Sequence, residues 1–206
     1  MTLRIRDRVV VFDYGEVISR SPSETDRSAI LTAAGEVAAD RFWSSYWSYR
    51  DELDRGTLSV TGYWERIAAD VGASWSASDF QSLWAADFRS WISVEPGTVE
   101  LLDRLHAGGT RLALLSNAGY DFAGPFRFSP TARYFERIFI SAELNELKPE
   151  AAIYEHVLGE LGITPAQMVF IDNRSVNTDA AKALGITVHH FVGVDGLAEF
   201  LTSLSS

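Results

Sequence analysis

Cysteine is absent from this 206-residue chain, which removes structural disulfides, thiolate metal sites and thiol nucleophiles together. Long apolar runs are missing as well. No stretch approaches the roughly 18 residues of a membrane span, and the opening MTLRIRDRVVVFDYG has no signal-peptide cleavage pattern, so a cytoplasmic location without a membrane partner is expected. Basic residues are few beside acidic ones, 18 against 28, for a formal charge of -10. That sign excludes nucleic acid held by a broad electrostatic face; an anionic small substrate would need a local positive site. There is no low-complexity tract, fixed-period repeat or long charge block. What is present, 47% hydrophobic and 12% aromatic residues, suffices for an extensive core. The length allows one domain, or one domain carrying an insertion.

Four short apolar runs stand out: VVVF at 9–12, RLALL at 111–115, RIFI at 137–140 and MVFI at 168–171. Each is too short for a typical helix and rich in β-branched or bulky residues, as buried strands are. ITVHHF supplies a fifth. Helical patterns lie around them in TVELLDRLHAGG, AAIYEHVLGELG and VNTDAAKALG, with Gly108-Gly109, Gly162 and Gly185 where C-terminal caps belong. This alternation predicts an α/β fold, a Rossmann-like doubly wound parallel sheet with helices on both faces.

Residues 17–95 break the alternation. They hold all six tryptophans (Trp43, Trp47, Trp64, Trp75, Trp84, Trp91), and their patterns are helical, as in the i, i+4 pair Trp43 and Trp47. The stretch is expected to be an inserted helical subdomain, with residues 1–16 and 96–206 forming the sheet domain and Glu95-Pro96-Gly97 returning the chain to it. Its aromatic residues are expected mainly to close a small bundle core; a ligand-stacking platform is the alternative.

A parallel sheet opens the carboxyl ends of its strands on one edge, where ligands bind. VVVF ends in Asp13, RLALL in Ser116-Asn117 and MVFI in Asp172-Asn173, so three distant segments deliver two carboxylates, a hydroxyl and amides to that edge. Any one of them alone is more often a turn former or cap; their coincidence marks a site. Lysine usage points the same way. The chain has only two lysines, Lys148 and Lys182, and Lys148 stands in ELKPE before a helix, with Pro149 suited to the first helical turn.

VVVFDYGEVIS, LLSNAG, ELKPEAAIYEHVL and MVFIDNRSVNTDAAKALGI resemble, in order, the four motifs of the haloacid dehalogenase superfamily, and the Trp-rich insertion resembles the cap of its capped subfamily I members. A finer likeness is to the small bacterial sugar-phosphate branch that includes α-D-glucose-1-phosphate phosphatases, in which Gly also occurs at the third position of the first motif. The resemblance implies a small phosphorylated substrate and Mg²⁺-dependent hydrolysis through an aspartyl phosphate on Asp13. It implies Mg²⁺ held by Asp13, Asp172 and the carbonyl of Gly15, and phosphoryl oxygens bound by Ser116 and Lys148. Asn117 would add a main-chain donor, and Asn177 would brace the fourth-motif loop.

Two departures weaken that assignment. Gly15 stands where the phosphatases usually carry a second Asp as general acid/base, a loss worth about 10²–10⁴-fold in rate. Glu16 substitutes for it only if the turn directs its side chain inward; a solvent-facing or turn-capping side chain is the expectation. Asn173 replaces the second acid common in the fourth motif. A metal-independent 2-haloacid dehalogenase-like hydrolase is therefore one alternative, opposed by retention of Asp172. A catalytically weak member that binds a phospho-ligand or a protein is another. For substrate choice, the turn Asp54-Arg55-Gly56-Thr57 resembles the specificity turn of such caps, making Arg55 a candidate contact and Arg50 a weaker one, with Tyr14 on the pocket floor. The sequence leaves monomer and homodimer equally open.

Overall fold

Residues 2–205 are described by a computed structural model. Strands β1 (Val9–Phe12), β2 (Arg111–Ser116), β3 (Arg137–Ile140), β4 (Met168–Asp172) and β5 (Thr187–His190) form one parallel sheet in the order β3-β2-β1-β4-β5. All five expected strands are present, and the doubly wound α/β architecture is as expected. β1 is buried from end to end because both faces are covered, which is why it reads as an unbroken apolar run. On one face Val10 and Phe12 join Leu101, Leu102 and Leu105 of helix α6 (Pro96–Ala107) and Leu197 and Leu201 of helix α11 (Val194–Leu204). On the other, Val9 and Val11 meet Ile153, Tyr154 and Val157 of α9 (Ala151–Leu161) and Ala181 of α10 (Ser175–Ala183).

The region between β1 and α6 carries helices α1 (Glu24–Ala34), α2 (Ala39–Ser48), α3 (Arg50–Asp54), α4 (Val60–Val71) and α5 (Ala77–Trp91). They enclose a core of their own built on Ile30, Phe42, Tyr46, Tyr63, Trp64, Ile67 and Leu83. Capping boxes at Ser23 with Asp26 and at Ser76 with Asp79 fix the starts of α1 and α5. The chain leaves for this helical cap and returns from it side by side: Ser19 bridges Val94, Arg20 N–H donates to Ser93 and Glu95 N–H to Ile18. Polar contacts of three cap residues, Asp54, Trp84 and Arg55, seat the cap on the sheet domain. Ser141 of α8 (Ser141–Leu144) donates to the Asp54 carbonyl (2.5 Å), Trp84 to Asp121 (2.8 Å), and Arg55 pairs with Glu150. Gly56 is required here. Its φ is +79°, and a Cβ would lie 2.7 Å from the Ala142 carbonyl oxygen.

Proline 149 departs from expectation. Helix α9 begins at Ala151 with Glu150 as its N-cap, so Pro149 lies outside the first turn, joined to Lys148 by a cis peptide. No helix among the described residues is long and apolar enough to cross a membrane.

Candidate active site

The strand order places β1 between β2 and β4, the point where successive crossovers turn in opposite directions, and a crevice opens there. In register, Phe12 lies beside Ile171, so the next residues, Asp13 and Asp172, stand next to each other at the strand ends. Asp13 N–H donates to the Ile171 carbonyl (2.9 Å). Lys148, 3% exposed, joins the two acids: its Nζ lies 2.7 Å from Asp13 Oδ1 and 2.8 Å from Asp172 Oδ2, and donates to the Leu115 carbonyl at 3.0 Å. The third donor of the ammonium thus falls on the end of β2, so three neighbouring strands fix one atom.

Asp172 is fully buried and saturated. Besides Lys148 it accepts from Arg174 N–H (2.8 Å) and, at both oxygens, from Asn177 Nδ2 (3.0 Å). Asn177 therefore orients an acid as well as bracing a loop. Asp13 is held asymmetrically: Oδ1 receives Lys148 and the Tyr14 N–H (2.7 Å), while Oδ2 accepts no hydrogen bond among the described residues. Burial pushes Asp13 up to about 7, with Asp172 adding to it and Lys148 opposing. Burial disfavours the Lys148 ammonium, yet the facing carboxylates outweigh burial and hold its pKa above the ordinary lysine value.

Unlike the fully buried Asp172, the residues Asp13, Lys148 and Asn177 border a cavity of about 500 Å³ between sheet domain and cap. Ser116, buried at the end of β2, opens onto it, and Tyr14 forms part of its floor, stacked on Phe126 with ring centroids 4.0 Å apart. Asn117 has a task beyond the main-chain donor expected of it. Its side chain donates to the Lys148 carbonyl (2.9 Å) and accepts the Lys148 N–H (3.0 Å), clamping the backbone that carries the ammonium.

Glu16 corrects another expectation. It adopts a left-handed φ of 57°, a conformation that Glu seldom takes, and the turn directs its carboxylate along the cavity wall, where Asn173 Nδ2 donates to Oε2 at 2.6 Å. It is half-buried and held on that wall rather than turned wholly to solvent. Gly15 also borders the cavity, and a Cβ there would meet only the Trp91 ring, at 3.9 Å; the backbone does not demand glycine.

Arg55 is corrected too. It does not border the cavity; it pairs with Glu150 and donates to the Asn145 carbonyl on the sheet domain. Arg50, one turn earlier, does border the cavity, together with Trp47, Asp51, Asp54 and Trp91 of the cap and Phe122 and Arg174 of the sheet domain. Of the six tryptophans, Trp64 is in the cap core, Trp43, Trp75 and Trp84 pack against it, and Trp47 and Trp91 line the cavity, so core packing accounts for four of them.

A family model described as haloacid dehalogenase-like hydrolase matches residues 9–185. Among curated proteins, the chain is 28% identical to protein CbbY of Rhodobacter capsulatus over 196 residues, covering 88% of this chain and 83% of that protein. It is 29% identical to flavin mononucleotide hydrolase 1 of Arabidopsis thaliana, covering 95% of this chain and 77% of that one. Among solved structures, a HAD family enzyme of Bacteroides thetaiotaomicron in complex with magnesium and inorganic phosphate superimposes with TM-score 0.68 at 20% identity, over 88% of this chain and 92% of that one. The L-2-haloacid dehalogenase of Xanthobacter autotrophicus, with chloropropionic acid covalently bound, does so with TM-score 0.66 at 18% identity, over 95% and 82%. At such identities the superpositions establish the fold and do not choose between the two chemistries.

Proposed function

The chain belongs to the haloacid dehalogenase-like hydrolases, and on that premise we propose that it is a phosphomonoester hydrolase acting on a small phosphorylated metabolite, a sugar phosphate in the first instance. The observation that carries this reading is the shared ammonium of Lys148 between Asp13 and Asp172. Displacing a halide from carbon needs one carboxylate nucleophile. Burying a second, saturated carboxylate beside it costs several kcal/mol of desolvation, and this cost is in keeping with a site that gathers positive charge, as around a phosphate.

The same residues fit a magnesium ion. Hard oxygen donors suit this cation, and Asp13 and Gly15 both border the cavity. Asp13 and the Gly15 carbonyl would hold it, and Asp172 would join them by giving up one of its present hydrogen-bond donors, with water and phosphate oxygens supplying the rest. No three His, Asp or Glu side chains converge on one point among the described residues, so solvent and substrate oxygens would have to complete the shell. Bound there, the ion would neutralise charge on the phosphoryl oxygens.

The protein's own groups then divide the reaction. Asp13 Oδ2, the oxygen free of hydrogen bonds, attacks phosphorus, and the ester oxygen departs, taking a proton from Glu16. Water, deprotonated by the same Glu16, attacks phosphorus in the aspartyl phosphate; inorganic phosphate leaves and the Asp13 carboxylate returns. Ser116 and Lys148 bind the transferring oxygens. The test is release of phosphate from an aryl phosphate with and without Mg²⁺, and of halide from a 2-haloacid, by wild type and Asp13→Asn. Mg²⁺-dependent phosphate release lost in Asp13→Asn supports this reading; metal-independent halide release replaces it with the dehalogenase, and silence in both assays with a binder.

A further inference from the structure

A second cavity, of about 470 Å³, adjoins the first. Glu16, Trp47 and Trp91 border both, and the rest of its wall includes Pro22, Ile30, Trp43 and Tyr46. Its rings are fixed by one another: Tyr46 meets Trp47 edge to face with centroids 4.8 Å apart, and Trp43 likewise at 5.2 Å. Trp47 is nevertheless 56% exposed. The polar groups on this wall are engaged already. The Tyr46 hydroxyl donates to Asp87 (2.6 Å) and accepts from Arg50, the Ser90 hydroxyl donates to the Asp87 carbonyl (2.7 Å), and Asn173 holds Glu16. What the chamber offers is aromatic surface and, among the described residues, one cation on its wall, the exposed Arg27.

Glu16 relates the chamber to the chemistry. In the phosphatase reading this carboxylate protonates the departing ester oxygen, so a chamber that Glu16 also borders begins on the leaving-group side of phosphorus. Resting on that reading, we infer that the chamber receives a flat ring carried by the alcohol portion, so that the preferred sugar phosphates are those bearing an aromatic heterocycle. Such a ring stacks on indole faces and against a guanidinium, and these surfaces ask for no hydrogen bond in return. A sugar entering without one brings hydroxyls to a wall whose polar groups are taken, and buried hydroxyls left unpaired are costly.

Adenosine 5′-monophosphate and ribose 5-phosphate share a phosphorylated ribose and differ in adenine against a hydroxyl. Binding of each to Asp13→Asn with Mg²⁺, measured by calorimetry, is expected to favour the nucleotide by ~10-fold or more, as stacking of a base on an aromatic side chain provides. The kcat/KM of the wild type should follow the same order. Trp47→Ala, at an exposed position outside the cap core, should narrow the ratio by weakening the nucleotide alone, and Trp47→Phe, which keeps a ring, should retain most of it. Equal affinities, a preference for ribose 5-phosphate, an equally tight n-octyl phosphate, or a ratio unmoved by Trp47→Ala overturns the inference. Failure of the wild type to hydrolyse an aryl phosphate would sink the phosphatase reading instead, and the calorimetric ratio would still decide this one.

Discussion

Asn173 donates a 2.6 Å hydrogen bond to Glu16, and through it the amide at the end of β4 aligns the carboxylate of the turn after β1 along the cavity wall. Two departures from the family pattern, a missing acid at position 15 and an amide at position 173, are thus one arrangement: the amide positions the acid that stands next to the gap.

If Glu16 moves the protons, Glu16→Gln lowers kcat by about 10²-fold or more with little change in KM, and Asn173→Ala lowers it less. Because a Cβ at position 15 meets only the Trp91 ring, Gly15→Asp should fold normally and restore part of the rate lost in Glu16→Gln. Steady-state phosphate release on the single and double variants is the measurement. Undiminished kcat in Glu16→Gln would remove Glu16 from the mechanism.

Lys148 is expected to hold the fold as well as the substrate. Removing one partner from a buried ionic cluster costs about 3–5 kcal/mol because the remaining charges lose their compensation, so Lys148→Met should lower the urea midpoint by a corresponding amount. Adding Asp13→Asn to that background should recover part of the loss. A double variant no more stable than Lys148→Met contradicts the shared-ammonium account.

Asp54 gives stability a pH slope. Its folded pKa, about 7, lies above its ordinary value of 3.8, so between those values the folded state binds more protons than the unfolded one. Stability then falls as pH rises from about 4 to about 7 and is flat in this respect beyond. At about 1.4 kcal/mol per pKa unit, the contribution is on the order of a few kcal/mol. Denaturation of wild type and Asp54→Asn at pH 5 and pH 8 tests it: the variant should lose less stability between the two. Parallel losses would exclude Asp54 as the source.

Gly56→Ala is expected to destabilise the seated cap by about 1–3 kcal/mol, since both its positive φ and the Ala142 carbonyl oppose a side chain. Arg55→Ala, which removes a part-exposed pair with Glu150, should cost no more than about 1 kcal/mol and leave KM unchanged. A raised KM would return Arg55 to the substrate.

The strand ends were legible because burial on both faces leaves a signature of consecutive apolar residues, and a polar residue at the end of such a run must lie on the sheet's open edge. Asp13, Ser116 and Asp172 were found that way, and Lys148 by the scarcity of its kind. The cap wall left no comparable signature. Whether Arg50 or Arg55 borders the cavity depends on how a short helix docks against Ala142 and Glu150, residues some 90 positions away. Trp47 and Trp91 read like their core-packing neighbours for the same reason. The side-chain role of Asn117 was hidden too, since nothing in LLSNAG distinguishes a clamp on the backbone 31 positions away from an ordinary turn former.

The bonds from Ser141 to Asp54, from Trp84 to Asp121 and from Arg55 to Glu150 also bear on time. Each must be exchanged for bonds to water before the cap can lift, at about 0.5–1.5 kcal/mol apiece. Where product escape needs that lift, turnover acquires a ceiling set by latch and hinge and indifferent to phosphorus chemistry. A thicker solvent would then slow the enzyme, and an easier leaving group would not hasten it.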